Sequence, residues 1–147
     1  GSSSDVWSTA NILPAFSTPS EGESTFNAGI NFGTFDVVEF DGIVILKGSD
    51  TSSPINRAGI TLKFTGTLWQ YPGAAYLDEL TVTDVSGTLI TDTSGTIAKF
   101  PINLEKVWIE AEDYDVTANI LRFRLYNNLT YILSYKYLLT LRYYNVL

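Results

Sequence analysis

The sequence predicts an all-β protein, an antiparallel β-sandwich of the jelly-roll kind with about 8–10 short strands separated by turns. Three observations carry that expectation. Apolar and polar residues alternate with a period of two, most clearly where Leu121, Phe123 and Leu125 interleave with Arg122, Arg124 and Tyr126. Turn-forming pairs punctuate the chain at Asp41-Gly42, Pro72-Gly73, Ser86-Gly87, Ser94-Gly95 and Asn127-Asn128. Helical spacing of apolar residues is found only in the stretch Leu129 to Leu141, where the two-residue set Tyr131, Leu133, Tyr135, Tyr137, Leu139, Leu141 and Tyr143 favours a strand over a helix.

Composition narrows the class. The 147 residues suit one domain: residues 1–4 (Gly1, Ser2, Ser3 and Ser4) read as a linker or cleavage scar and 5–147 as a single binding domain, the excised end of a longer protein. Hydrophobic residues make up 45% and charged residues 17%, which disfavours disorder despite a net charge of −7. Nine basic residues against sixteen acidic ones give no clustered cation for nucleic acid or an anionic membrane. No apolar run approaches the ~20 residues of a membrane-spanning helix. The chain has no Cys, His or Met, so stability rests on packing or on assembly with further copies.

Taken in order, the chain opens with a short strand or connection around Val6 to Leu13. An irregular segment carrying Pro14, Pro19, Phe16 and Phe26 extends to Asn31. Phe32 to Phe40 reads as a strand ending in a type I′ hairpin at Asp41-Gly42, followed by the apolar run Ile43 to Leu46. Lys47 to Pro54 has loop composition. Ala58 to Trp69 is the cleanest strand of the first half, with Ile60, Leu62 and Phe64 spaced by Thr61, Lys63 and Thr65, and with Gly66 as a bulge or hairpin turn. Gln70 to Tyr76 is a turn built on Pro72-Gly73 and flanked by Trp69, Tyr71 and Tyr76.

Alternation resumes from Leu80 to Val85. An eight-residue repeat follows, Thr83 to Ile90 and Thr91 to Ala98, whose Asp, Ser and Gly residues predict two successive hairpin turns with one short strand between them. Phe100 to Ile109 reads as one strand or two, with a single helical turn around Asn103 to Val107 as the alternative. After the acidic run Glu110 to Asp115, the chain ends in two strands joined by a tight turn at Asn127-Asn128. Six of the nine tyrosines lie between Tyr126 and Tyr144, and such a pleat-compatible segment belongs in the core of a sheet.

Candidate chemistry is sparse. Without His or Cys, nucleophilic triads of the usual kind are excluded, and zinc has no ordinary ligand set. An enzyme would have to use paired carboxylates, for which Glu110 and Glu112 beside Trp108 and Tyr114 are the best placed, although a solvated acidic edge explains the same residues. Glu112, Asp113 and Asp115 offer oxygen ligands for calcium but lack the spacing of a dedicated loop. No catalytic residue, metal site or cofactor is therefore expected, and the protein is read as a non-enzyme.

Binding is better supplied. Trp69, Tyr71 and Tyr76 bracket a turn, where rings stack on sugars or fill a partner's pocket, with a strand-end core position as the competing reading of Trp69. Arg122 and Arg124 suit an acidic glycan or, more simply, ion pairs with the Glu110 and Glu112 edge.

The runs Ile43 to Ser49, Ser53 to Ile55 and Ile60 to Phe64 with Gly66 resemble the early strands and intervening loop of adenovirus-type fibre heads. The aromatic strand Tyr137 to Tyr144 is similar to the way such heads finish. The family's opening leucine-tryptophan-threonine motif is echoed by Val6, Trp7, Ser8 and Thr9. These segments cover about a third of the chain. The resemblance implies a fibre-knob-like sandwich that forms a homotrimer at the virion surface or another extracellular location and binds a host cell-surface receptor, glycan or protein. A free-standing carbohydrate-binding module or bacterial adhesin domain is the alternative expectation.

Overall fold

A computed structural model describes residues 2–8, 11–16, 22–50, 55–93, 96–101 and 106–146. Their eleven strands form two antiparallel sheets with no helix: β1 (Ser2–Trp7), β2 (Asn11–Leu13), β3 (Glu23–Gly29), β4 (Val37–Asp50), β5 (Ile55–Tyr71), β6 (Ala74–Leu77), β7 (Thr81–Thr93), β8 (Thr96–Pro101), β9 (Val107–Ala111), β10 (Ile120–Asn127) and β11 (Leu133–Tyr144). The large sheet has the order β1-β11-β4-β5-β7-β8, with β2 also on β11 and β6 also on β5. The small sheet is β3-β10-β9. The predicted all-β sandwich is the observed fold.

The sheets meet through alternate side chains. On β10 Leu121, Phe123 and Leu125 are fully buried, and on β11 the buried set runs through Leu133, Tyr135, Leu139 and Leu141. Both follow the period of two, so Leu129 to Leu141 contributes a strand as expected. Phe123 of the small sheet packs its ring 5.8 Å from Phe40 and 5.3 Å from Phe64 of the large one. Phe26 stacks on Phe123 at 5.0 Å and on Tyr137 at 3.9 Å. The Tyr135 hydroxyl of β11 and the Ser24 hydroxyl of β3 share a 2.8 Å hydrogen bond across the layers. β11 lies between β1 with β2 on one side and β4 on the other, an interior strand as its composition predicts.

The strands are longer than predicted, because three expected turns are strand interior. Asp41-Gly42 makes no hairpin: β4 runs straight through, and Gly42 lies opposite Phe64. Gly66 is neither bulge nor turn, but the partner of Phe40 within β5. A Cβ at either glycine would collide with the facing phenyl ring, so these positions accept the ring instead of a side chain of their own. The bulge falls elsewhere: Lys63 pairs with Asp84 and Phe64 with Val82, leaving Thr83 unopposed.

Ser86-Gly87 is likewise inside β7, where Gly87 takes a φ of 140° beside the Gly59 backbone. Of the repeat, only the second copy turns the chain: β7 and β8 pair from Thr93 opposite Thr96, and Ser94-Gly95 between them lie outside the described residues. The expected Lys47 to Pro54 loop is strand up to Asp50, and residues 51–54 lie outside the described part. So do 102–105, where a helical turn was the alternative; Val107 itself begins β9.

Asn127-Asn128 is not a tight hairpin either, since β10 and β11 belong to different sheets. Asn127 is the buried hinge of that crossing, 1% exposed. Its Nδ2 donates to the Pro14 carbonyl at 3.1 Å and the Tyr131 carbonyl at 2.9 Å, and its Oδ1 accepts the Leu129 amide at 2.9 Å. A side-chain amide with both donor and acceptor satisfies a corner that neither sheet's ladder reaches.

Candidate functional site

The hairpin β5–β6 carries the exposed rings. Pro72 fixes the entry to the turn and Gly73 takes a φ of 77°, the left-handed conformation that glycine tolerates. In the ladder Trp69 pairs with Tyr76 and Tyr71 with Ala74, so that strand alternation places Trp69, Tyr71 and Tyr76 together on the face turned away from the core. They are 38%, 55% and 61% exposed. Tyr71 and Tyr76 lie 5.8 Å apart at 59°, a tilted pair. Trp69 donates its indole N–H to Asp78 Oδ2 at 2.7 Å, and the Asp78 amide is tied to the Thr67 carbonyl. The indole is therefore oriented before any ligand arrives, and Trp69 is a partly exposed ring, not a core residue.

The tip of the same hairpin also borders a cleft of about 380 Å³. It is lined by Gln70 and Tyr71 from the hairpin together with Asn31, Phe32, Tyr114, Val116 and Asn119 from segments distant in the chain. Tyr114, expected beside the acidic edge, instead turns inward: its hydroxyl donates to the Ile30 carbonyl and lies 3.2 Å from Asn119 Oδ1, and its ring meets Phe32 edge-on at 5.5 Å. Burial first, then the nearby Tyr143 and Asp115, raise its pKa. Asn119 adopts a φ of 57°, and the Asp115 carboxylate accepts the Thr117 and Ala118 amides at 2.9 and 3.1 Å. Gln70, Asn31 and Asn119 were not singled out by sequence; Gln70 fell within the expected Gln70 to Tyr76 turn, and nothing in the sequence linked Asn31 and Asn119 to it.

Arg122 and Arg124 lie on the outer face of the small sheet, far along the chain from the hairpin and on a different layer. Arg124 binds Glu112 at 2.9 Å and approaches Glu23 at 4.0 Å, while Arg122 reaches Glu112 at 3.6 Å and Asn27 at 3.3 Å. Hydrogen bonding with Tyr126 first, then the two carboxylates, keeps the Arg124 guanidinium charged beyond its usual range. Glu110, exposed on β9, accepts the Tyr126 hydroxyl at 3.0 Å. This is a cross-strand network whose charges answer one another. The carboxylates considered for calcium diverge: Glu112 faces the arginines and Asp115 serves its own turn. Among the described residues no three such groups come together around a point.

No family model matches the chain, and no curated protein sequence does. Its fold is similar to that of part of a phage tailspike. The likeness is to the crystal structure of the Acinetobacter baumannii phage AM24 tailspike protein, with a TM-score of 0.53 and 12% identity over 98% of this chain. The chain spans 27% of that tailspike's length. The structure so matched is a tailspike rather than a fibre head of the adenovirus type. At this identity the likeness concerns the sandwich and not the surface residues. Among the described residues, no helix is long and apolar enough to cross a membrane.

Proposed function

We propose that this domain is the receptor-binding head of a phage or viral attachment fibre or spike, carried at the virion surface, which recognises a cell-surface glycan or protein without chemical turnover. The observation that carries the proposal is the preset ring cluster at the β5–β6 tip, with Trp69 locked to Asp78 and Tyr71 and Tyr76 open to solvent. Flat rings held at a rigid tip gain contact area with little loss of conformational entropy on binding. The sandwich shared with part of a phage tailspike supports the same reading. The finer assignment, a homotrimeric head of adenovirus fibre type, adds assembly through further copies. Arg122 and Arg124 are left out of the contact surface because their charges are met by Glu112 and Glu23.

A glycan array spanning bacterial surface polysaccharides and animal-cell glycans tests the proposal. Binding by the parent chain and its loss in Trp69→Ala/Tyr71→Ala/Tyr76→Ala support it; undiminished binding by the triple variant overturns the tip as the contact. Release of reducing sugar that Glu110→Gln abolishes would overturn the non-catalytic reading. Light scattering separates a trimeric head from the free-standing carbohydrate-binding module that the exposed rings equally suit.

A further inference from the structure

Every described residue lining the cleft beside the hairpin is uncharged: Asn31, Gln70 and Asn119 supply amides, Tyr71 a ring and hydroxyl, Tyr114 the side of a ring whose hydroxyl is held by Ile30, and Val116 an apolar rim. We infer that this cleft is a binding site for a neutral saccharide, a reading that rests on the attachment role above and specifies its ligand. Its roughly 380 Å³ falls at the small end of the range for small-molecule sites, room for a short saccharide rather than a long chain enclosed within it. The Tyr71 ring provides a stacking face, and the amides provide the paired donors and acceptors that sugar hydroxyls need.

Charge decides the class. A carboxylated sugar in this cleft would be desolvated with no cation to meet it. Acidic residues flank the lining segments in the chain: Asp113 and Asp115 on either side of Tyr114, and Asp36, whose carbonyl accepts the Gln70 amide at 2.8 Å. The net charge of −7 adds repulsion at long range.

The walls are also preset. Gln70 is tied to Asp36, and the Asp36 amide to the Tyr144 carbonyl at 2.9 Å; the facing wall is tied by the Ile30 amide to the Asn119 carbonyl at 2.9 Å and by the reciprocal Asp115 and Ile120 bonds. Asn31 Oδ1 accepts the Gly33 amide at 3.0 Å, which fixes that side chain and leaves its amide nitrogen to donate. A cleft rigid on both sides binds without paying for loop ordering.

The test is amide NMR of the isotopically labelled chain, titrated to about 50 mM with methyl glucoside, methyl galactoside and methyl N-acetylglucosaminide, and separately with N-acetylneuraminic acid. We expect at least one neutral sugar to shift the Gly33, Gly73 and Asn119 amides with millimolar affinity, and the acidic sugar to bind about tenfold more weakly or not at all. Tyr71→Ala should weaken the neutral sugar about tenfold while Tyr71→Phe retains most of the affinity. Gln70→Ala, at an exposed position, should weaken it with the rest of the spectrum unchanged. Equal or tighter binding of the acidic sugar in the cleft overturns the inference, as does the absence of cleft shifts with all three neutral sugars. If array binding depends on Trp69 and Tyr76 while the cleft amides stay silent, the cleft alone is rejected. If the cleft binds neutral sugars but neither array nor cells retain the domain, the attachment role alone is rejected.

Discussion

The phenyl ring of Phe64 lies across Gly42 of the neighbouring strand, and two residues further along the ladder Phe40 lies across Gly66 in the reverse sense. The two rings meet at 6.4 Å and 65°, and Phe123 of the facing sheet packs against both. Two missing side chains thus make room for two large ones, and a third ring from the small sheet completes the centre of the sandwich.

Gly42→Ala should destabilise the domain by about 2–3 kcal/mol, because the added methyl group overlaps the Phe64 ring within packed surroundings. Urea unfolding measures this. The double variant Gly42→Ala/Phe64→Leu should lose less than the sum of its single changes, since the smaller side chain admits the methyl group. Strict additivity would show that the ring and the glycine are not coupled.

Asn127→Ala should lower stability by about 3 kcal/mol, leaving the Pro14 and Tyr131 carbonyls and the Leu129 amide without their partner in a buried corner. Asn127→Asp should be at least as damaging at neutral pH, because a carboxylate cannot donate to two carbonyls. It should partly recover as acid restores one O–H donor. A chemical denaturation series across pH checks both the loss and the recovery.

Burial raises the pKa of Tyr131, Tyr135, Tyr137 and Tyr143 as well as Tyr114. An unfolded tyrosine loses its proton near pH ~10. A folded pKa above that value means the folded state holds its protons longer, so stability is intact below about pH 10 and declines as pH rises toward the folded values. The tyrosinate absorbance of these residues should appear together with loss of near-ultraviolet circular dichroism. Their ionisation well before unfolding would contradict the burial.

Asp78→Ala should cost under about 1 kcal/mol of stability, since the bond to Trp69 lies at the surface. It should nevertheless release the indole. Comparison of Asp78→Ala with Asp78→Ala/Trp69→Phe isolates the Trp69 emission, which should move to longer wavelength, and glycan binding should fall about threefold to tenfold as the ring loses its set orientation. Emission and binding both unchanged would show that Asp78 does not position the ring.

Strands were legible where large apolar residues alternated over several positions, as Leu121, Phe123 and Leu125, and the set from Tyr131 to Leu141, show. But β3 (Glu23–Gly29), which buries only Phe26 and Ala28 among small and polar residues, was read as an irregular segment. Turn signals were less dependable: Pro72-Gly73 turns the chain, whereas Gly42, Gly66 and Gly87 are strand interior. Glycine marks either a bend or a close approach by another group, and the group that approaches Gly42 is a phenylalanine 22 positions away, as the pairing with Phe64 shows. At the candidate site the rings Trp69, Tyr71 and Tyr76 were visible beside their turn, but the cleft was not, because its two walls come from segments distant in the chain.

By itself, the sequence determined the all-β class, the faces of β5, β10 and β11 and the outward rings at the hairpin, because side-chain periodicity and turn stereochemistry are local properties. Only the tertiary structure decided that Asn127 carries the chain from one sheet to the other, that Arg122 and Arg124 are met by Glu112, and that a cleft lined by uncharged residues lies beside the hairpin. Those features depend on which distant segments pack together, and that is set by the burial of whole faces rather than by any short stretch of residues.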